Sequence, residues 1–146
     1  MPTRRAVTTW TGGLQDGTGE VSLASSHAAD FEVSFPRRAA DDAEGVTSPE
    51  ELIAAAHSSC LAMQFSSLLA GAGGSDIHLS VRAEVSLGPD PAGGFRIPAI
   101  AVTVRGRADG ITPGDFAQLA EQAKQTCPVS KALAGTEITL MVDAPG

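Results

Sequence analysis

The chain holds two cysteines, and each stands in a setting that could make a thiol reactive. Cys60 lies in "SPEELIAAAHSSCLAM" (48–63), three residues after His57, and Cys127 lies in "AKQTCPVSKALAG" (123–135), directly before Pro128. Only the thiolate is a nucleophile, and a free thiol with a pKa of about 8.5 is little ionised at neutral pH. A residue before proline is pushed out of helical geometry, so a helix breaks at Cys127 and the next can turn its free N–H groups towards the sulfur. On a helix, Cys60 shares a side with His57 and Met63, one turn away in each direction. His57 can be read as the base of a Cys–His nucleophile, as a buried hydrogen-bonded histidine, or as a metal ligand beside the cysteines. The last reading needs a fourth ligand that the spacing does not offer. No C-x-x-C occurs, so neither a thioredoxin-type site nor a zinc ribbon is supported.

The rest of the composition narrows the setting. With 146 residues, 42% apolar and 18% charged, the chain reads as one domain, 1–146, able to bury a core. Ten basic against seventeen acidic residues give a net charge of −7, and no basic cluster offers a footprint for phosphates, so nucleic acid is not expected as a partner. No apolar run approaches the ~18 residues of a membrane span, and "MPTRRAVTTW" lacks a signal-peptide core. The expected location is the cytoplasm, where cysteines serve as thiols or packing rather than in permanent disulfides.

The elements that must position these residues are well punctuated. "RAVTTW", "GEVSLAS" and "FEVSF" alternate like strands of an antiparallel meander, followed by the polar, exposed stretch "AADDAEGVT". A helix then starts with Ser48 as cap, Pro49 at its first position and Glu51 completing a Ser-x-x-Glu box, and runs to about Ala70 before "GAGG". Its small residues predict a central buried helix. "IHLSVRAEVSL" puts Ile77, Leu79, Val81, Ala83, Val85 and Leu87 on one face of a strand. In "FRIPAIAVTVRGR" the apolar phase shifts across Pro98, which predicts a bulge or an edge. Thr112 caps a second helix with the stripe Phe116, Leu119, Ala120, Ala123; a short helix follows Cys127 and ends by Gly135, and "EITLMV" is a last strand. The expected class is α+β, antiparallel sheets around a long central helix in the order βββ-α-ββ-αα-β.

"SPEELIAAAHSSCLAM", "AKQTCPVSKALAG", the early Trp10-Thr11-Gly12…Gly17-Thr18-Gly19 and the closing "EITL" together resemble the OsmC/Ohr family of thiol-dependent peroxidases over nearly the whole chain. "PEELIAAAH" and "CPVS" are similar to the OsmC branch. The loop "TGGLQDGTG" lacks the arginine that the Ohr branch carries there, whereas Phe35-Pro36-Arg37-Arg38 matches the OsmC branch's F-x-x-R and selects Arg38. Leu61 stands where the family commonly has Phe. The resemblance implies a peroxidatic Cys60, a resolving Cys127, and Arg38 held by Glu50 as the cation that ionises Cys60 and steadies the peroxide oxygens. It implies no bound cofactor, an external dithiol or lipoyl-type reductant, and an organic hydroperoxide as substrate with hydrogen peroxide used less well. The apolar neighbours Leu61, Met63 and Phe65 are expected to wall an alkyl chain. A Cys–His hydrolase and a metal- or ligand-binding module are the rival classes.

One geometric expectation concerns assembly. Ten residues separate Glu50 from Cys60, which on one helix is ~15 Å. Arg38 cannot then join both within one chain, so Glu50 and Arg38 should serve the Cys60 of a second copy in an intertwined C2 homodimer, as the resemblance also implies.

Overall fold

The computed structural model describes residues 1–144, whose contacts gather in two units, Met1–Leu52 and the described residues from Ile53 on. The first unit is the expected meander: β1 (Val7–Thr11), β2 (Thr18–Ser22) and β3 (Asp30–Val33) pair antiparallel in that order. Gly17, before β2, and Gly19, within it, leave room for the Trp10 indole and, at Gly17, for the Gly13 and Thr11 carbonyls. Trp10 lies opposite Gly19, and a Cβ on Gly17 or Gly19 would stand 2.8 Å from the Trp10 ring. Gly12 takes a φ of +97°, and its carbonyl accepts the Trp10 Nε1–H at 2.9 Å. After β3 comes a single turn, α1 (Phe35–Arg38), with Pro36 in its first turn; the sequence pattern gave no helix here. The polar stretch that follows is exposed and returns to the sheet through a bridge from Thr47 to Val33.

The long helix α2 (Pro49–Gly71) starts as expected, with the Ser48 hydroxyl accepting the Glu51 N–H at 3.1 Å. The box is half closed, because the Glu51 carboxylate accepts the Thr47 hydroxyl instead of turning back to Ser48. By length and composition α2 could cross a membrane, which the sequence reading had not recognised. Its residues His57, Leu61, Phe65 and Leu69, four apart, form a buried stripe instead. Met63 is 69% exposed and so lies away from His57, correcting the expected shared face. The 100° step per residue puts positions 57 and 63 about 120° apart, so Cys60 stands between them at the edge of the stripe.

In the second unit this stripe packs on one three-stranded sheet. β4 (Ser75–Val85) pairs antiparallel with β7 (Ala99–Asp109), and β8 (Glu137–Asp143) adds to β7 in parallel. The parallel partner follows from the chain between them: α3 (Pro113–Thr126) and α4 (Pro128–Ala132) supply the crossover that a parallel pair needs. Ile77, Leu79, Val81, Ala83 and Val85 do share one face, as their alternation predicts, and pack against a core of Leu61, Phe65, Leu69, Ile100, Val102, Val104, Phe116 and Ala120. The phase change at Pro98 is neither a bulge nor an edge. It separates a two-residue ribbon, β5 (Gly88–Pro89) with β6 (Phe95–Arg96), from β7, which is the central strand; the irregular register lies at Ser75/His78. Thr112 caps α3 by accepting the Asp115 N–H at 3.1 Å.

Candidate active site

Two clusters carry the residues singled out in the sequence, one in each unit. In the first, α1 and the start of α2 bring Arg38 and Glu50 together. Arg38 Nε donates to both Glu50 oxygens at 3.1 and 3.2 Å, and Nη2 donates to Oε1 at 2.7 Å. Glu50 is buried, which by itself raises its pKa. The Arg38 hydrogen bonds, its own backbone N–H, the guanidinium charge and Ser48 outweigh this and hold the carboxyl below its ordinary range. A two-pronged, charge-assisted pair of this kind fixes the guanidinium plane. Arg37 is held differently, by the exposed Glu44 at 2.6 Å.

Arg38 also lines a cavity of about 220 Å³ whose other walls are Trp10, Leu14, Val33, Ser34, Phe35 and Pro49. The walls expected for an apolar pocket around Cys60 were Leu61, Met63 and Phe65, and none of them lines this cavity. Leu61 and Phe65 are in the core at 1% and 0% exposure, and Met63 is open to solvent. In the sequence Trp10 stands out only as part of a motif, and Phe35 only as the residue that marks Arg38. Their distance along the chain from both cysteines hid the pocket.

In the second unit, Cys60 on α2 and Cys127 at the α3–α4 junction are 67 residues apart in sequence, yet their sulfurs are 3.1 Å apart as free thiols. The break at Cys127 is as the proline predicts: it ends α3 and begins α4 with φ −60° and ψ 124°. Cys127 is fully buried, whereas Cys60 is partly exposed. Their acidities diverge. Burial pushes the Cys60 thiol up, Cys127 beside it adds to this, and the Val129 N–H pulls the other way without prevailing. Burial would raise Cys127 as well, but the Ser130 N–H, the Cys60 thiol, the Ser130 hydroxyl and the Val129 N–H outweigh it and lower its pKa. Within this unit, then, the surroundings favour the ionised form of Cys127 and disfavour that of Cys60.

His57 is fully buried, with Nε2 2.7 Å from Ser130 Oγ. Its Nδ1 has no hydrogen-bond partner. Burial lowers its pKa, which favours the neutral ring. With Nε2 committed to Ser130, the arrangement does not supply a Cys60–His57 base pair. Ser130 was missed in the sequence: "CPVS" was read as a motif with no role for its serine, although a spacing of three puts it one turn from Cys127. Among the described residues, no group of three or more His, Cys, Asp or Glu could hold a metal ion.

Residues 41–142 match the family described as OsmC-like protein. Peroxiredoxin OsmC of Escherichia coli (strain K12) is 37% identical over 131 residues, which cover 90% of this chain and 89% of that protein. Organic hydroperoxide resistance protein OhrA of Bacillus subtilis (strain 168) is 30% identical over 125 residues, covering 82% and 84%. Among solved structures, an organic hydroperoxide resistance protein from Elizabethkingia anophelis superposes with a TM-score of 0.78 at 29% identity, over 99% of this chain and 98% of that one. OhrB of Bacillus subtilis gives a TM-score of 0.74 at 26% identity, over 95% and 98%.

Proposed function

The chain belongs to the OsmC-like family, and from that premise we propose that it is a thiol-dependent peroxidase that reduces organic hydroperoxides to alcohols, and hydrogen peroxide less efficiently, as a cytoplasmic defence against oxidative stress. The observation that carries this reading is the free thiol pair, two sulfurs 3.1 Å apart with one partly exposed and the other buried. Closure to a disulfide of about 2.05 Å needs a shift of only about 1 Å.

Cys60, the sulfur that peroxide can reach, attacks the O–O bond as thiolate. One oxygen stays on sulfur as sulfenic acid, and the other leaves as alkoxide and takes up a proton to become the alcohol. Cys127 then displaces that oxygen as water and forms the Cys60–Cys127 disulfide, which an external dithiol of lipoyl type reduces back to two thiols. No bound cofactor enters the cycle. Arg38, clasped by Glu50, supplies the positive charge that favours the Cys60 thiolate, and the cavity beside the guanidinium takes the alkyl chain.

Arg38 and Glu50 are joined within one chain, and Glu50 is ten helical residues, ~15 Å, from Cys60. The reading therefore pairs Arg38 and Glu50 of one copy with Cys60 of a second in a homodimer. The exposed small residues Ala55, Ala56 and Ser59 beside Cys60 allow a second helix to approach closely.

The test is consumption of cumene hydroperoxide by the purified protein with a dithiol, run beside hydrogen peroxide. Sustained turnover with the organic peroxide favoured is expected. No consumption of either peroxide, with both thiols still titratable, would end this reading.

A further inference from the structure

His57 and Ser130, 73 residues apart in sequence, make a buried polar contact beside the thiol pair that the cycle above leaves unused. Histidine on an otherwise apolar stripe is costly to bury, and here only one of its two ring nitrogens is satisfied. That asymmetry favours one tautomer. A bare lone pair at Nδ1 is easier to leave unpaired than an N–H, so the proton sits on Nε2 and is donated to Ser130 Oγ at 2.7 Å. Ser130 has a single hydroxyl proton. Ser130 is buried three residues after Cys127, on the first turn of α4, and with its oxygen accepting from His57 its proton is left for Cys127 Sγ, in keeping with the lowered pKa of that thiol.

We propose that His57 and Ser130 are positioning residues for the resolving step: His57 orients the Ser130 hydroxyl so that it donates to Cys127 Sγ and keeps that sulfur a thiolate once Cys60 has become a sulfenic acid. The inference rests on the peroxidase reading for the identity of that step. Its timing follows from the pair itself. While both sulfurs are reduced, the two thiols face each other across 3.1 Å; when Cys60 carries oxygen, that thiol–thiol contact is lost, and Ser130 is left to hold the charge of Cys127. The thiolate of Cys127 then attacks the Cys60 sulfur, the S–S bond forms, the S–O bond breaks, and hydroxide leaves and is protonated by solvent. Ser130 keeps its proton and His57 remains neutral throughout.

Other ionisable groups do not compete for this role. The side chains that α2 turns to Cys127 and Ser130 are Cys60 and His57; Lys124 of α3 is engaged by Glu121, and Lys131 of α4 and Glu137 and Asp143 of β8 are exposed.

Two measurements test the proposal. Stopped-flow oxidation with cumene hydroperoxide separates Cys60 oxidation from disulfide closure, and titration of Cys127 in a Cys60→Ser background reads its acidity without peroxide. Loss of a hydrogen bond to a charged group should slow closure about tenfold more than it slows Cys60 oxidation in Ser130→Ala and His57→Leu. The same substitutions should raise the Cys127 pKa by about one unit. His57→Gln, which returns an N–H near the position of Nε2, should restore most of both. The double change His57→Leu/Ser130→Ala removes both partners together and serves if a single variant folds poorly. Closure and titration that do not respond, or a Gln variant as impaired as the Leu variant, overturn the proposal. If the wild-type Cys60 never oxidises, the peroxidase reading falls, and the Cys127 titration alone decides whether His57 and Ser130 set its acidity.

Discussion

A guanidinium promotes thiol ionisation only if it is held where the charge develops, and the two neighbouring arginines differ in this. Arg38 is gripped by a buried carboxylate whose pKa is lowered, and it walls the apolar cavity. Arg37 meets an exposed Glu44, a type of pair worth about 0–1 kcal/mol. Arg38→Ala should therefore raise the Cys60 pKa and slow its oxidation by at least about tenfold, whereas Arg37→Ala should change it by less than about twofold. Equal losses, read by thiolate absorbance and stopped-flow rates, would show that no single arginine is committed to the site. The sulfurs also separate. Cys60→Ser should abolish peroxide reduction. Cys127→Ser should allow one turnover per site and then stall as sulfenic or over-oxidised Cys60. Mass spectrometry of peroxide-treated protein checks this, and a sulfenic acid on Cys127 with Cys60 reduced would reverse the assignment, an outcome made pertinent by the greater acidity of Cys127 within its own unit.

At the scale of elements, the core of the second unit turns on α2 against β7 and α3. Phe65 is fully buried and meets Phe116 edge to face, with centroids 4.8 Å apart at 68°. Phe65→Ala should cost about 3–5 kcal/mol, read as a lower urea midpoint with similar slope; a loss under about 1 kcal/mol would mean that the cavity refills. Where α2 starts and stops was legible, because Ser48, Pro49 and the glycines after residue 70 act locally. Which side it buries was not. A run such as "AAAHSSCLAM" has small residues on every side, so no apolar stripe distinguishes Leu61 from Met63 until β7 and α3 are in place. The strand alternation in β4 had no such ambiguity and was read correctly. α1 and the parallel placement of β8 escaped for a related reason: four residues have no period, and strand direction within a sheet is set by the crossover rather than by the strand. The thiol pair could be proposed from motifs, whereas the His57–Ser130 contact joins positions that nothing local connects.

At the scale of the whole molecule, the first unit is unusually bare for a folded sheet. Val21 is its one buried apolar side chain among the described residues, β1 is exposed along its length, and Val7, Trp10 and Leu14 are 53%, 43% and 59% exposed. A three-stranded sheet needs an apolar face covered to be stable, and an uncovered edge strand invites pairing. In the proposed homodimer a second copy would meet that need and at the same time bring the Arg38 guanidinium to Cys60. The proposed C2 homodimer has two equivalent sites, each with Arg38 and Glu50 from one copy and both cysteines from the other. A mixed dimer of Cys60→Ser and Glu50→Ala chains discriminates the arrangements. If the carboxylate acts across the interface, the intact Cys60 of the Glu50→Ala chain meets the intact Glu50 of the Cys60→Ser chain. One site of two should then work, at about half the wild-type rate per dimer. If Glu50 serves the cysteine of its own chain, the only intact Cys60 lacks its carboxylate, and the mixed dimer should be no faster than half the Glu50→Ala homodimer. Tandem purification on two different tags isolates the mixed species, and its rate with cumene hydroperoxide, beside the two parent homodimers, decides between them.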